Sequence, residues 1–391
     1  MPLAPRHTHG FASSRATLSS LPLPSGGASP GGGGRSGGRG ILVEGLEGAT
    51  VWALVGVWYL AGVVAVASTK TLLQGDESDL SPSDSSSLSS LSPPPLSFLT
   101  VSLFQFAFSS SSLNFSLTGS PFPPPSLPSL RLPPASRTAL GLAAFFFAAG
   151  FLLTNAAFSV SSASFTEAIK ASEPLTSSLA AIFYGVDVLP PPEAAGLLVT
   201  LTGAFLAATS TGKGSGDGGA LAVALAVGAN ACFSLRGANQ KKAALLAAGA
   251  ARDPGASKDP AGILASSPAS VLFRFSYFGL FLTLPLWLLH QILLFDSSPL
   301  TSSPSVRSPF LSKTLPLLLL NASTFTLYNL ASTAVLTRLS PISHASLNCG
   351  RRIFAIAVTA LYFQTTITGR GVAGVALTVA GIAVYEGGRE S

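Results

Sequence analysis

The residues best suited to chemistry in this sequence are cations that lie inside apolar runs. Arg351 and Arg352 are adjacent in "SPISHASLNCGRRIFAIAVTALYF", and Lys170 lies in "SFTEAIKASEPLTSSLAAIFYG". Placing Lys or Arg near the centre of a spanning helix costs about 2.5–3.5 kcal/mol on insertion scales, so such residues normally face a bundle interior or a watery cavity. Each of these three cations is therefore a candidate functional residue.

Two explanations of the buried cations remain open from the residues alone. Glu167 or Glu173 could neutralise Lys170, since each lies three residues from it on the same helix face. Arg351 and Arg352 have no acid in their own span, so an anion that visits the protein should compensate them. A phosphate fits, because Arg offers a planar fork of donors and Lys a compact point charge. In the second explanation, an empty site without phosphate contains three unneutralised cations, Lys170, Arg351 and Arg352.

The composition indicates that these cations belong to a membrane protein. Of 391 residues, 48% are hydrophobic and 10% are charged, and the mean hydropathy is +0.52. A soluble domain carries about 25% charged residues, so the solvent of this chain is mostly lipid. The net charge of +6 comes from scattered basic residues without an interleaved aromatic stripe, which excludes nucleic acid as the partner.

Ten apolar segments predict transmembrane helices, because a helix of roughly 20 residues crosses about 30 Å of hydrocarbon. Many are rich in Ala, Gly, Ser and Thr, which let helices approach closely in lipid. They lack the alternation of a closed β-barrel, so we expect an all-α membrane protein. The segments cover about 50–73, 96–118, 138–158, 162–185, 192–211, 218–240, 268–295, 313–337, 342–363 and 369–387.

The second half of the chain resembles the first at an offset of 178 residues. The segment that begins at Ser164 then aligns with the segment that begins at Ile342, and each is followed by a polar turn and a Gly/Ala-rich span. Repeated halves are common in transporters, and their substrate sites lie near the midplane where the repeats meet. The aligned pairs include Tyr184 with Tyr362, Gly196 with Gly374 and Gly203 with Gly381.

The N-terminal segment 1–43 differs in composition from the rest. Ser, Arg, Gly and Pro dominate it, and no acid precedes Glu44. Organelle transit peptides have this composition, and a plain disordered tail is the alternative. We therefore predict a transit peptide or disordered tail at 1–43, a first five-helix half at 44–211 and a second at 212–391.

The sequence offers no pattern for catalysis or for metal binding. Cys232 and Cys349 lie inside apolar runs and form neither a disulfide framework nor a metal-ligand spacing. No His/Asp cluster and no Gly-rich phosphate loop occurs. We therefore expect no enzyme activity, no metal and no cofactor.

Several separated motifs resemble the plastid phosphate translocators, the triose-phosphate transporter family within the drug/metabolite transporter superfamily. "FTEAIKASEPLTSSLAAIFYG" is similar to the family's Phe-Thr-His-Thr-Ile-Lys-x-x-Glu-Pro block, and "SLRGANQKKA" to its Arg-x-x-x-x-Lys-Lys segment. "LYNLASTAVLTRLSPISHASLNCGRRIFAIAVTALYF" resembles its Tyr-Asn … Pro-x-x-His-Ala … Asn-x-x-Lys-Arg block. The resemblance covers about residues 138 to 387.

The resemblance implies a ten-transmembrane-helix bundle of two inverted five-helix repeats, the drug/metabolite transporter fold. It also implies an antiporter that exchanges inorganic phosphate for phosphorylated sugars or three-carbon phosphates by alternating access. The expected partners are a phosphorylated small molecule, inorganic phosphate and the lipid bilayer, and the expected location is the plastid envelope. The alternative is a nucleotide-sugar or other organic-anion transporter of the endomembrane system, in the Golgi or ER membrane.

The resemblance also assigns roles to residues by position. It implies that Lys170, Arg351 and Arg352 hold the phosphate. The predicted supporting residues are Thr154 and Tyr328, as hydrogen-bonding groups, and His344, in the Pro-x-x-His block.

Three positions depart from the family pattern. Glu167 replaces the His of the fourth-span motif, and Phe151 stands where many members have a His near the sugar end of the substrate. Both leave the identity of the substrate open. Arg351 stands where Lys is usual, which keeps the charge and changes the hydrogen-bonding geometry.

Overall fold

In the computed structural model, all regular secondary structure of the described residues is helical. No strand occurs among the described residues, which confirms the prediction of an all-α protein. Ala49–Ser391 forms one compact unit and Met1–Gly48 another, and the predicted transit peptide or tail lies largely outside the described residues. The structure describes residues 37–74, 96–120, 134–161, 163–185, 190–209, 219–250, 268–295, 314–339, 341–362 and 369–390.

Eleven helices are described, and each predicted span overlaps at least one of them. Their bounds are α1 Gly37–Gln74, α2 Phe98–Thr118, α3 Pro134–Val160, α4 Ala163–Lys170, α5 Glu173–Tyr184, α6 Pro191–Thr209, α7 Gly219–Ala250, α8 Pro268–Phe295, α9 Leu315–Leu336, α10 Pro341–Tyr362 and α11 Gly369–Glu390.

The fourth predicted span is two short helices rather than one. Helix α4 ends at Lys170 and α5 begins at Glu173. Pro174 explains the interruption, because proline has no N–H and its ring clashes with the carbonyl four residues earlier, here that of Lys170. Asn230 of α7 supports the break, since its Nδ2 donates to the carbonyl oxygen of Ile169 at 3.2 Å. The break brings two helix termini and their charged side chains to one level of the bundle.

Several helices are suited to lipid by length and composition. Four stretches of the described residues are long and apolar enough to cross a membrane, with mean hydropathies between 1.5 and 2.0, and a shorter apolar helix follows near the C-terminus. These helices identify a membrane bundle, and the count of ten spans stays a prediction. The four are Thr50–Leu73, Pro134–Val160, Ala220–Leu246 and Pro268–Leu293, and the shorter one is Gly369–Tyr385.

The distribution of side chains is that of a protein dissolved in lipid. Phe183, Phe281 and Phe205 are 85%, 77% and 70% exposed, whereas Arg351 and Arg352 are 2% and 1% exposed. Large apolar groups on the outside and charged groups inside reverse the pattern of a soluble domain, and they suit a chain whose polar groups line an interior site.

Helices α6 and α11 pack backbone to backbone through glycine. A Cβ on Gly196 would lie 2.9 Å from the carbonyl oxygen of Gly381, and one on Gly203 would lie 2.6 Å from that of Gly374. Small residues permit such an approach between helices in lipid. At the offset of 178, Gly374 is the counterpart of Gly196 and Gly381 that of Gly203, so each glycine meets the counterpart of the other.

A buried hydrogen-bond network joins α1, α2, α3 and α9 beside the site. Asn321 donates from Nδ2 to the hydroxyls of Ser68, at 2.9 Å, and Thr69, at 2.8 Å. Its Oδ1 accepts from Gln105 Nε2 at 2.9 Å, and Asn155 Nδ2 donates to Gln105 Oε1 at 3.0 Å. Satisfied amide groups of this kind hold buried helices in one arrangement.

Candidate functional site

Six charged side chains from four helices are buried together in the bundle. None is more than 5% exposed. Buried charges are tolerated when they are paired or meet a ligand, so the partners of each group decide what the cluster can do. The six are Glu167 and Lys170 of α4, Glu173 of α5, Arg236 of α7, and Arg351 and Arg352 of α10.

Both glutamates pair with the adjacent arginines. Arg352 contacts Glu167 Oε2 at 2.9 Å through Nη1 and Glu173 Oε2 at 2.5 Å through Nη2. The same oxygen of Glu167 lies 3.6 Å from Arg351 Nη2. The forked guanidinium of Arg352 therefore joins the two short helices α4 and α5, a geometry for which arginine is better suited than lysine.

This pairing corrects the expectation that the two arginines lack acids. Their counter-ions come from the fourth predicted span, and spacing along one helix cannot reveal a partner on another. The alternative in which Glu167 or Glu173 pairs with Lys170 is also wrong, because both carboxylates lie on the arginines. An empty site therefore does not contain three unneutralised cations.

Lys170 is a buried cation whose direct contacts are with neutral groups. Its Nζ donates to Thr154 Oγ1 at 2.8 Å, and it lies 5.2 Å from the ring centroid of Phe233 and 5.9 Å from that of Phe158. Among the described residues, no carboxylate is within ion-pair distance of this ammonium group. Lys170 and Thr154 thus come together as predicted neighbours, and the ammonium group is available to an anion.

Arg351 is held against the first and ninth helices. Its guanidinium lies 5.1 Å from the ring centroid of Tyr328, and its Nε donates to Asn348 Oδ1 at 2.8 Å. Asn348 in turn donates to Glu173 Oε2 at 2.5 Å. Gly62 of α1 makes room, because a Cβ there would lie 2.9 Å from Arg351 Nη1. Tyr328 contributes the face of its ring, and the predicted hydrogen bond to a ligand stays a prediction.

Arg236 is a member of the cluster that the predicted set of site residues does not include. It lies in "SLRGANQKKA" on α7 and is 5% exposed. Its guanidinium lies near the rings of Phe147 and Phe275, 5.1 and 5.7 Å from their centroids, and its Nη2 donates to Thr333 at 3.3 Å. Among the described residues, its Nε has no hydrogen-bond partner. Arg236 lies more than one helical turn before Lys241, inside the apolar run, and this position is the sequence signal that indicates its burial.

His344 is positioned by ring stacking and one hydroxyl. Its ring stacks on Trp58, with 4.7 Å between centroids and an interplanar angle of 16°. Its Nε2 lies 3.0 Å from Ser332 Oγ. The imidazole therefore lines the site with a fixed orientation, in keeping with the supporting role predicted for it.

The predicted site residues divide between two small adjoining cavities. We call one, of about 30 Å³, the Arg236 cavity, and the other, of about 40 Å³, the Lys170 cavity. Each has room for about two or three water molecules. Tyr328 lines both. The Arg236 cavity is also lined by Glu173, Arg352, His344 and Ser332, and the Lys170 cavity by Thr154, Glu167, Arg351, Phe151 and Gln105.

The three departures from the family pattern, Glu167, Phe151 and Arg351, all line the Lys170 cavity. Glu167 contributes its carboxylate, and Phe151 an aromatic wall that packs edge-on against Phe325 at 4.7 Å and Phe233 at 4.9 Å between centroids. An apolar wall beside a charged group favours ligands whose polar atoms concentrate at one end.

The charged groups that line the two cavities have an excess of positive charge. Four are cationic and two are carboxylates, which gives a formal sum of +2. A phosphate with two ionised oxygens matches this excess, and it can accept hydrogen bonds from both guanidinium and ammonium donors. Among the described residues, no group of three His, Cys, Asp or Glu side chains could hold a metal ion.

Comparison with known proteins gives one family over most of the chain. A family model described as the Triose-phosphate Transporter family matches residues 87–386. The phosphoenolpyruvate/phosphate translocator 3, chloroplastic, of Oryza sativa subsp. japonica is 24% identical over 357 residues, which cover 89% of this chain and 76% of the relative.

A second relative and one solved structure are also similar. The triose phosphate/phosphate translocator, non-green plastid, chloroplastic, of Brassica oleracea var. botrytis is 25% identical over 289 residues, or 73% of this chain and 64% of the relative. A structure described as "Crystal structure of protein" aligns with a TM-score of 0.49 at 16% identity, over 84% of this chain and 98% of that one.

Proposed function

This chain belongs to the Triose-phosphate Transporter family, and from that membership we propose that it is an antiporter of inorganic phosphate and phosphorylated sugars or three-carbon phosphates. The members of the family are transporters rather than enzymes. The two plastid relatives are named as phosphate translocators, which supports a phosphorylated substrate for this chain.

The observation that carries the proposal is the buried cationic cluster at the junction of α4, α5 and α10. Lys170, Arg351 and Arg352 lie at most 4% exposed and line two adjoining cavities. Lys170 meets no carboxylate among the described residues, so a phosphate oxygen is the partner that suits it. Thr154 and Tyr328 then complete the set of residues that bind the phosphate, and His344 supports this set from the Arg236 cavity.

The helix bounds support a chain built from two inverted five-helix halves, 44–211 and 212–391. Adding the offset of 178 to the outer bounds of α4 and α5, Ala163 and Tyr184, gives Pro341 and Tyr362, the bounds of α10. The reciprocal glycine contacts of α6 and α11 fit a two-fold relation, in which each surface meets its own counterpart. Ten spans in this arrangement place the cluster where the halves meet.

Exchange rather than leak follows from the charge of the cluster. In the empty protein the excess of +2 would have to pass through a low-dielectric closed state, which is costly. A bound phosphate dianion removes the excess, so the loaded protein closes and reorients more readily. The two glutamates reduce this penalty without removing it.

We place the protein in a plastid envelope with residues 1–43 as its transit peptide. The composition of that segment and the chloroplastic names of both relatives support this location. A reporter fused to residues 1–43 should accumulate in plastids. Accumulation in the Golgi or ER would favour the endomembrane alternative.

Counter-exchange in liposomes tests the proposed function. Purified protein should take up labelled phosphate into vesicles preloaded with phosphate or a triose phosphate, and far more slowly into empty vesicles. Vesicles loaded with a nucleotide sugar provide the comparison for the alternative. Folded protein that exchanges nucleotide sugars but not phosphate would overturn the proposal.

A further inference from the structure

Glu167 occupies a place where a substrate oxygen would otherwise meet the two arginines. One oxygen, Oε2, lies 2.9 Å from Arg352 Nη1 and 3.6 Å from Arg351 Nη2. The side chain is 3% exposed and lines the Lys170 cavity. An internal carboxylate therefore already compensates part of the charge to which a bound phosphate would respond.

Glu173 differs from Glu167 in how it is held. It lies at the start of α5, and its Oε2 accepts from both Arg352 and Asn348. It lines the Arg236 cavity, whereas Glu167 lines the cavity that contains the ammonium group of Lys170. An anion bound by Lys170 and Arg351 would therefore have Glu167 beside it in the same cavity, as a fixed negative charge.

The charge excess of the site limits the charge of the ligand. Phosphate monoesters carry close to two negative charges at neutral pH, since their second pKa is about 6, and inorganic phosphate carries at most two in this range. An ionised carboxylate on the same ligand adds a third. The four cations and two carboxylates of the site sum to +2, so a phosphorylated carboxylate would leave one uncompensated negative charge in a low-dielectric interior.

We propose that Glu167 determines the substrate class, by selecting inorganic phosphate and phosphate esters of uncharged molecules against phosphorylated carboxylates. This inference rests on the proposed function and refines it. Neutralising Glu167 raises the formal excess to +3, which matches the trivalent ligand. Glu167 acts on specificity through charge, so a substitution that keeps the charge keeps the preference.

Two three-carbon probes that differ by one carboxylate test the inference. Liposomes containing the full chain are loaded with labelled phosphate, and its efflux is measured against external dihydroxyacetone phosphate or 3-phosphoglycerate at equal concentration. Wild type should favour dihydroxyacetone phosphate by about tenfold or more, because an uncompensated charge in a poorly solvated site is worth more than this factor. Glu167→Gln should reduce that ratio by about tenfold.

Two further variants separate charge from local packing. Glu167→Asp keeps the carboxylate and should retain the wild-type preference. Glu193→Gln removes a buried carboxylate of α6 that lines neither cavity, and it should leave the ratio unchanged. Thermal unfolding of each variant in detergent shows which preparations are folded.

The outcomes distinguish the inference from the function on which it rests. Equal exchange of both probes by wild type, or a folded Glu167→Gln protein with the wild-type ratio, would overturn the inference while the phosphate exchange itself stands. Absence of phosphate exchange by folded wild type would instead overturn the proposed function. The wild-type ratio is informative even if Glu167→Gln does not fold.

Discussion

Helices α4–α5 and α10 have corresponding places in the chain at the offset of 178, yet they differ in charge and continuity. Glu173 corresponds to Arg351, and Pro174 corresponds to Arg352. The proline interrupts the first segment between Lys170 and Glu173, whereas α10 runs without interruption through both arginines. One segment therefore presents both acids of the cluster, and the other presents two cations.

The opposite charges of α4–α5 and α10 explain how this bundle buries charges that neither segment could bury alone. Arg352 bridges Glu167 and Glu173 on both sides of the helix break, so the two short helices are fixed by their counterpart. Lys170, at the end of α4, is left with neutral neighbours. The pairing of unlike segments thus places both carboxylates on Arg352 and leaves the ammonium group of Lys170 available to a ligand.

Removing the central arginine is the strongest way to break this arrangement. Arg352→Ala leaves two buried carboxylates without their main partner, which typically costs 3–5 kcal/mol. We expect a large loss of thermal stability in detergent, together with the loss of phosphate exchange. The measurement is the unfolding temperature of the purified protein beside its exchange rate in liposomes.

A charge-matched control sharpens that prediction. Arg338→Ala removes an arginine that is exposed and lies at the end of α9, and it should change stability by less than about 1 kcal/mol. Similar unfolding temperatures for the two variants would contradict the structural role of Arg352.

The close packing of α6 against α11 at their corresponding glycines gives a second test, with a smaller expected effect. Gly203→Ala puts a Cβ against the backbone of Thr378, and overpacking of this kind costs about 1–3 kcal/mol. Gly141→Ala is the control, because no atom lies within 4 Å of the added Cβ. The free energy of unfolding should fall only for Gly203→Ala, and equal values would argue against the close packing.

The hydroxyl beside Lys170 should give the smallest effect. Thr154→Val removes the group that accepts a hydrogen bond from Lys170 Nζ, and a hydrogen bond to a charged group is worth at least about 1.5 kcal/mol. We expect phosphate exchange to fall about tenfold, with little change in unfolding temperature. Thr154→Ser retains the hydroxyl and should exchange at nearly the wild-type rate, so equal losses in both variants would contradict this role.

The sequence predicted the all-α fold, and the resemblance assigned Lys170 and Thr154 to one site. Apolar segments of spanning length report helices directly, and the motif resemblance brought the three cations to one place. Pro174 indicates an interruption after Lys170, but residues 162–185 were predicted as one continuous span. Local signals of this kind are sufficient to predict where helices occur, and they are insufficient to predict where each helix ends.

The partners of the arginines could not be predicted from spacing within one span. Glu167 and Glu173 are more than 170 positions from Arg352, and only the packing of α10 against α4 and α5 makes them neighbours. The place of Arg236 in the cluster could not be predicted for a related reason. Its burial depends on Phe147 and Phe275, which other helices provide.

If Lys170 binds the phosphate that is exchanged, replacing it should remove most of the exchange, and a matched pair of variants measures this effect. Labelled phosphate exchange is measured for Lys170→Gln beside Lys242→Gln, whose lysine is exposed and lines neither cavity. We predict a loss of about 100-fold for Lys170→Gln, as expected for a charged hydrogen bond worth nearly 3 kcal/mol, and wild-type exchange for Lys242→Gln. Exchange at the wild-type rate by folded Lys170→Gln protein would contradict the account.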